Sequence, residues 1–540
     1  MGRPFLLRLL TTSPRRLFPN LAAFPLFNFT LHPAAINSSC FIQPSPLMAL
    51  PSTLTKAALR DRIRGCLFGS AVGDAYGLAT EFMTKRTATR LYGNGPIAFG
   101  CDPGYPVWED THRPITDRND FTDDTDQLLL ILQSLDQTRE GRLNPINFAK
   151  RLQEWYNFGI PELGTDPGRG LGYTVGRVMR HPMFASNPHR AAFEVWDSSG
   201  RNLAPNGAVM RTAVLGIESF WDEPRVVENS MAAAKVTHAD PRAIVSALLS
   251  SVLISRLLRG GGIDVAHDKT QTWNPRLSDP SYRQELLAYL QRGTSLRGEQ
   301  SLNPPYDAET SANQFRPKDY NALKQMLVEK EANIGGSYKA QFKGREPSDW
   351  NMDRPQVFPR PDIGWAGIDN VGEDKALDLL TRSVVADYTF LLQQTDVVPA
   401  SRQKGQRVQD GWAKELEAHC FPESVGQLDL DDGNTMGYAF KCVGVAYYGL
   451  TRCVDPSPTA PEYGGPPGLF RGLMEQVTLE AGDADTNDAV MGSLLGARFG
   501  LQEGIPRSWW TELQHLEWLN KTFDQYAERV LAEYEDLFMV

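Results

Sequence analysis

Residues 61–82 read DRIRGCLFGSAVGDAYGLATEF, and the architecture turns on how this stretch is read. Ile63, Leu67, Phe68, Ala71, Val72 and Ala75 recur at the three- and four-residue intervals of one helix face. Gly65, Gly69 and Gly73 recur every four residues in the same segment. Glycine is a poor helix former. A line of it makes sense where another helix, or a ligand, must come very close to the backbone. The segment then breaks into the glycine- and proline-rich stretch from Tyr92 to Pro106, which reads as loop.

Two later segments share one design. In NDFTDDTDQLLLILQSL (119–135), small polar and acidic residues lead into a strongly apolar run. In AGDADTNDAVMGSLLGARFG (481–500), acids and a threonine lead into an apolar run rich in small residues. Both read as helix starts with carboxylates at the positive end of the helix dipole. Further helices are expected over 147–156, 206–220, 229–236 and 239–257, then over 435–450 and 469–479. Residues 509–538 read as two short helices, and Pro161–Thr174 as a loop exposing backbone amides. Few alternating strands appear. The expected fold is therefore all-α: one multi-helical domain over 61–540, with a large insertion at about 260–410 that has only a few helical stretches, such as 365–397.

The 540 residues carry 41% hydrophobic and 22% charged side chains and a net charge of -10, an ordinary balance for a soluble chain. The acidic total argues against nucleic-acid binding through a broad basic face and suits a protein that uses carboxylates on divalent cations. The six cysteines form no C-x-x-C pair, so neither a disulfide scaffold nor a zinc knuckle is expected; Cys66 and Cys442 read as buried thiols in a reducing compartment. No run of eighteen apolar residues suggests a membrane span. Residues 1–60 hold Arg3, Arg8, Arg15, Arg16, Lys56 and Arg60 and no acid. That pattern fits an organellar presequence, a disordered extension, or residues ahead of a start at Met48. The expected location is intracellular and cytoplasmic, with the mitochondrial matrix as the alternative, and the expected state a monomer.

The acid clusters carry the chemistry. Thr122, Asp123 and Asp124 from one helix start, with Asp483, Asp485 and Thr486 from the other, would supply an all-oxygen site of the kind Mg²⁺ or Mn²⁺ takes. No His/Cys spacing favours zinc. The competing explanation is helix capping, which accounts for either cluster taken alone.

Three segments make a resemblance specific. GCLFGSAVGDAYGLATEF (65–82), FTDDTDQ (121–127) and AGDADTNDAVMGSLLGARFG (481–500) resemble the signature and the two metal motifs of the ADP-ribosylglycohydrolase family. NGAVMR (206–211) and THADPRA (237–243) match in the same order. The resemblance implies a compact helical fold holding two Mg²⁺ ions, with Mn²⁺ as a substitute. It implies hydrolysis of the glycosidic bond between ADP-ribose and an acceptor, on an ADP-ribosylated protein or a small molecule. The implied metal ligands are Thr122, Asp123, Asp124, Asp483, Asp485 and Thr486. Glu81, Asp123 and Asp485 are the implied catalytic carboxylates; Glu81 also reads as a surface acid at a helix end. Asn206, Gly207 and His238 are implied to contact ADP-ribose, although a lone histidine is often only packed. Gly168, Arg169, Gly170 and Gly172 form a loop able to cradle phosphate with backbone donors, with a charge-assisted bond from Arg169. Asp74 reads as structural, satisfying backbone amides at a helix junction. The chain has Ala204 or Pro205 where the family sometimes has a serine beside the phosphate. The alternative function is a non-catalytic ADP-ribose-binding or protein-interaction module on the same fold.

Overall fold

The glycine stripe finds its partner at the other end of the chain. Helix α1 (Lys56–Gly77) runs antiparallel to a late helix, Ala484–Phe499, in steps of four residues. A Cβ at Gly69 would lie 2.2 Å from the carbonyl oxygen of Gly492, and one at Gly73 would lie 2.1 Å from that of Asp488. Gly65 faces Gly496 and Gly77 faces Ala484 in the same way. Backbones this close leave no room for side chains between them. The consequence is functional: the end of α1 lies beside the start of the late helix, where the second acid cluster sits.

The structure, a computed structural model, describes residues 54–110, 113, 118–137, 141–260, 273–291, 373–393, 410–453 and 464–538. In chain order the helices after α1 are α2 (Lys85–Tyr92), α3 (Asp123–Asp136), α4 (Pro145–Phe158), α5 (Tyr173–Met179), α6 (Pro188–Ser198), α7 (Ala213–Ile217), α8 (Glu223–Lys235), α9 (Pro241–Leu258) and α10 (Pro280–Gln291). They continue as α11 (Lys375–Tyr388), α12 (Asp410–Cys420), α13 (Ala439–Leu450), α14 (Gly465–Glu480), α15 (Ala484–Phe499), α16 (Arg507–Thr511) and α17 (Leu516–Phe538). Among the described residues there are isolated bridges but no strand, so the fold is all-α. Helix α9 is apolar and long enough to cross a membrane, yet all of its residues are buried within the protein, where it packs on α7, α8, α13 and α15.

Several expectations are corrected. The fold begins before Asp61. Thr55 caps α1, while Lys56 and Arg60 pair with Glu535, Asp524 and Glu528 on α17, so these two basic residues belong to the packed chain. The helix expected over 206–220 is broken into a 3₁₀ turn, Asn206–Ala208, and the short α7. The Asn206 amide at the start of this segment donates to Gly437 O at 2.9 Å. The second of the two short C-terminal helices is in fact 23 residues long, with Leu519, Phe523, Tyr526, Val530 and Tyr534 buried at helical spacing.

The described flanks of the 260–410 insertion are core elements. Arg256 of α9 pairs with Glu223 of α8 at 2.7 Å and with Asp387 of α11 at 2.6 Å. Tyr388 donates to Glu223 at 2.8 Å and accepts from Asn274 at 3.0 Å. Buried charges need partners, and here the partners tie 273–291 and 373–393 to α8 and α9. Residues 1–53, with most of the presequence-like stretch, and 261–272, 292–372 and 394–409 of the insertion lie outside the described residues.

Candidate active site

Three local ties bring the acidic segments together. Asp74, fully buried on α1, accepts from the Thr122 amide at 3.0 Å and from the Thr125 amide and hydroxyl at 2.9 and 2.6 Å. It caps α3 from outside, as expected of a residue at a helix junction. After α1 the chain turns through Phe82, at φ 58°, whose amide donates to Gly482 O at 2.6 Å. Gly482 N in turn donates to Met83 O at 3.0 Å, so Glu81 is held one residue from this tie and Asp483 directly after it. Arg113 donates to the backbone carbonyls of Ala79 and Glu81, fixing the same turn from the other side.

The carboxylates then converge. Oxygens of Glu81, Asp483 and Asp485 lie within 4.8 Å of one another, all three residues being buried. Thr122 Oγ1 lies 3.5 Å from Asp485 Oδ2. Thr486 is placed to stabilise the charged forms of both Asp124 and Asp483 by hydrogen bonding. Burial, followed by the neighbouring carboxylates, pushes Asp123, Asp124 and Asp485 well above the usual carboxylate range. Burial and then Glu81 raise Asp483 to about 6. Among the described residues no Lys or Arg forms an ion pair with these four aspartates.

Capping does not explain this arrangement. Thr122 does cap α3, with Asp124 N at 3.4 Å. Asp483 sits at the N-cap of α15 but makes no side-chain capping bond. Asp124 Oδ2 and Asp485 Oδ1 are buried with no hydrogen-bond partner. A buried anionic oxygen without a partner is strongly disfavoured. An all-oxygen donor set with unmatched negative charge fits hard divalent cations, which would satisfy those oxygens.

The expected ligand-contacting residues divide. Asn206 donates to Asp483 Oδ2 at 2.8 Å, and Gly207 lies against the His238 ring, where a Cβ would sit 3.3 Å from Cε1. His238 is buried, with Nε2 lacking a partner; burial first and then the Arg211 charge hold it neutral, well below the usual imidazole range. Of the 168–170 loop, only Gly170 reaches the acids: a Cβ there would lie 2.4 Å from Asp123 Oδ1. Gly168 backs onto the Tyr156 ring, and its amide donates to Trp155 O at 3.2 Å. The Arg169 guanidinium is held by Asp126, at 3.0 and 3.1 Å, and by Asp120 at 2.7 Å. The phosphate cradle expected across this loop is therefore corrected at Gly168 and Arg169, whose donors already have protein partners.

Three residues near the centre escaped the sequence reading. Gln127 donates to Asp123 Oδ2 at 2.7 Å, Arg211 donates to Gln127 Oε1 at 2.7 Å, and a Cβ at Gly437 would lie 3.1 Å from Asp483 Oδ2. Gln127 and Arg211 stand inside FTDDTDQ and NGAVMR, so the signal was present but looked like ordinary helix sequence.

Together these features describe an all-helical protein organised around a buried carboxylate centre at facing helix ends. A sequence profile of the ADP-ribosylglycohydrolase family matches residues 55–329 and 369–537, and the chain belongs to that family. ADP-ribosylarginine hydrolase Tri1 of Serratia proteamaculans (strain 568) is 24% identical over 226 residues, 42% of this chain and 55% of that protein. ADP-ribosylhydrolase ARH3 of Gallus gallus is 27% identical over 204 residues, 37% and 51% of the two chains. ARH3 of Homo sapiens is 27% identical over 454 residues, 83% and 88% of the two. The chain spans about half the length of several curated relatives it matches.

Proposed function

We propose that the protein hydrolyses the glycosidic bond between ADP-ribose and an acceptor, in a reaction that depends on two divalent cations, Mg²⁺ or Mn²⁺. The observation that carries this reading is the convergence of Glu81, Asp123, Asp124, Asp483 and Asp485, with buried oxygens of Asp124 and Asp485 left without partners. Family membership and the activities for which the relatives are named supply the substrate class.

Thr122, Asp123, Asp124, Asp483, Asp485 and Thr486 would hold the ions, which when bound supply Lewis-acid polarisation of oxygen and an anchor for ribose hydroxyls. Gln127 and Asn206 hold Asp123 and Asp483 in fixed orientations by donating to one oxygen of each. That is the supporting role expected of groups behind ligating carboxylates. A carboxylate among Glu81, Asp123 and Asp485 orients the attacking water and takes its proton. Water adds at the anomeric carbon as the bond to the acceptor breaks, the acceptor leaves with the proton that the carboxylate took up, returned directly or through solvent, and the surrounding carboxylates stabilise positive charge on the sugar as it develops. Neutral His238, beside Gly207, faces the substrate as an uncharged polar group.

The test is a linkage-resolved assay. Peptides ADP-ribosylated on arginine or on serine are incubated with the full chain in Mg²⁺, Mn²⁺ or EDTA, and free ADP-ribose is measured by chromatography. Release that requires a divalent ion is expected. No release from either linkage with either ion overturns the reading for those substrates. Tight ADP-ribose binding without turnover would instead indicate a binding module.

A further inference from the structure

Behind the carboxylate centre a chain of buried hydrogen bonds runs from Asp123 to His238. Gln127 Nε2 donates to Asp123 Oδ2 at 2.7 Å. Arg211 Nη1 donates to Gln127 Oε1 at 2.7 Å, and Arg211 Nη2 donates to Thr237 Oγ1 at 2.6 Å. Thr237 Oγ1 lies 2.8 Å from His238 Nδ1. Gln127 and Thr237 are fully buried, and Arg211 and His238 are each only 1% exposed. The segments involved are α3, the turn before α7 and the turn before α9. Nothing in local sequence couples them.

A guanidinium has donors only, and this has a consequence in each direction. Toward Asp123, it obliges Gln127 to present its carbonyl to Arg211, so the amide NH₂ must face the carboxylate. Toward His238, the Thr237 hydroxyl accepts from Arg211, and among the described residues Nδ1 is the one acceptor its own proton reaches, so that proton is directed to Nδ1. A neutral imidazole that accepts at Nδ1 carries its proton on Nε2. That nitrogen is buried without a partner, next to Gly207.

We infer that Arg211 is a positioning residue that sets hydrogen-bond polarity on both sides of the site. It fixes Gln127 as a donor to Asp123 and, through Thr237, fixes His238 as the Nε2–H tautomer that donates to an acceptor oxygen of ADP-ribose. This rests on reading the site as one for ADP-ribose. The tautomer itself does not. Burial first, and then the neighbouring Arg211 charge, disfavour a protonated ring, so the donor is a neutral N–H.

The test uses the full chain labelled with ¹⁵N-histidine, with the His238 signal assigned by its loss in His238→Gln. The wild type should show an unprotonated Nδ1 and a protonated Nε2. Thr237→Val should disturb that pattern and weaken ADP-ribose binding about ten-fold, as expected for loss of one buried hydrogen bond. It should change kcat by less than about three-fold, the signature of lost ground-state binding, and should leave Mg²⁺ affinity alone. Thr237→Ser should restore both the tautomer and the affinity. Arg211→Lys keeps the charge but loses the fork. It should disturb the tautomer and also weaken Mg²⁺ binding, measured by calorimetry, by roughly 10–100-fold. An Nδ1–H tautomer in the wild type overturns the inference, as does a Thr237→Val protein with unchanged spectrum and ADP-ribose affinity. If the wild type keeps the expected tautomer but neither binds ADP-ribose nor releases it from substrate, the functional reading fails and the donor assignment to ADP-ribose fails with it. A protein that turns over substrate but holds His238 as Nδ1–H loses only the inference.

Discussion

Asp485 is 3% exposed, has an oxygen without a partner and lies among other carboxylates. Such a charge destabilises the folded chain until a cation compensates it. Asp485→Asn should therefore act in opposite directions under two conditions. In EDTA the variant should be more stable than the wild type, by on the order of 1 kcal/mol. In Mg²⁺ at a hundred times its Kd the wild type should gain about 2.7 kcal/mol, and the variant much less. Thermal scans with and without the ion check both signs, and turnover should fall sharply in the variant. His189 gives a pH prediction away from the centre. Burial, and secondarily Lys235, lower its pKa from 6.5 to about 3, while its Nε2 bonds Ala232 O at 3.0 Å. Between those two values the unfolded chain binds a proton that the folded chain refuses, so stability is present above 6.5 and is lost as pH falls toward 3. The slope from this one group is at most about 1.4 kcal/mol per pH unit. His189→Gln should show a flatter decline in denaturant midpoint over that window.

The pairing of α1 with α15 shows how much an element depends on residues that contribute no side chain. Gly65–Gly77 of α1 and Ala484–Ala497 of α15 are buried throughout, and the contact between them is backbone on backbone. Gly69→Ala would press a methyl against Gly492 O, at 2.2 Å before relaxation. The expected loss is about 1–3 kcal/mol or more, read as a lower midpoint in thermal scans at matched rate. Separating the two helices also moves Glu81 away from Asp483 and Asp485, so Mg²⁺ affinity should fall in the same variant. An alanine at Gly172, which has no atoms within 4 Å of a built Cβ, should leave both quantities nearly unchanged.

The molecule as a whole is closed by chain segments far apart in sequence. Arg256, fully buried, joins α8, α9 and α11 through Glu223 and Asp387. Arg256→Met would leave Glu223 buried with the more distant Arg259, at 3.7 Å, as its only cation, beside the Tyr388 hydroxyl. A loss of about 3–5 kcal/mol is expected, since breaking one side of a buried pair strands the other charge. If the flanks of the insertion were mere decoration, limited proteolysis would not reach 373–393 any faster in this variant than in the wild type.

Helix content and the two acid clusters were legible because both are local. Apolar residues at three- and four-residue spacing define α1, α3 and α9 wherever they lie, and Asp or Thr before an apolar run marks a helix start in any fold. The glycines of α1 announced a close neighbour without naming it. What paired them with Gly492 and Gly496, and so brought Glu81 to Asp483 and Asp485, was packing between residues more than 400 positions apart. The same holds for Arg169 and Arg211, two buried arginines that look alike in sequence. Asp120 and Asp126 surround the first and make it a brace, whereas Gln127 and Thr237 surround the second and place it between the two sides of the site. A side chain's propensity is its own, but its hydrogen-bond partners are supplied by whichever distant segments the core brings near. Sequence therefore specifies the helices and the donor chemistry, and tertiary structure alone decides which donors meet.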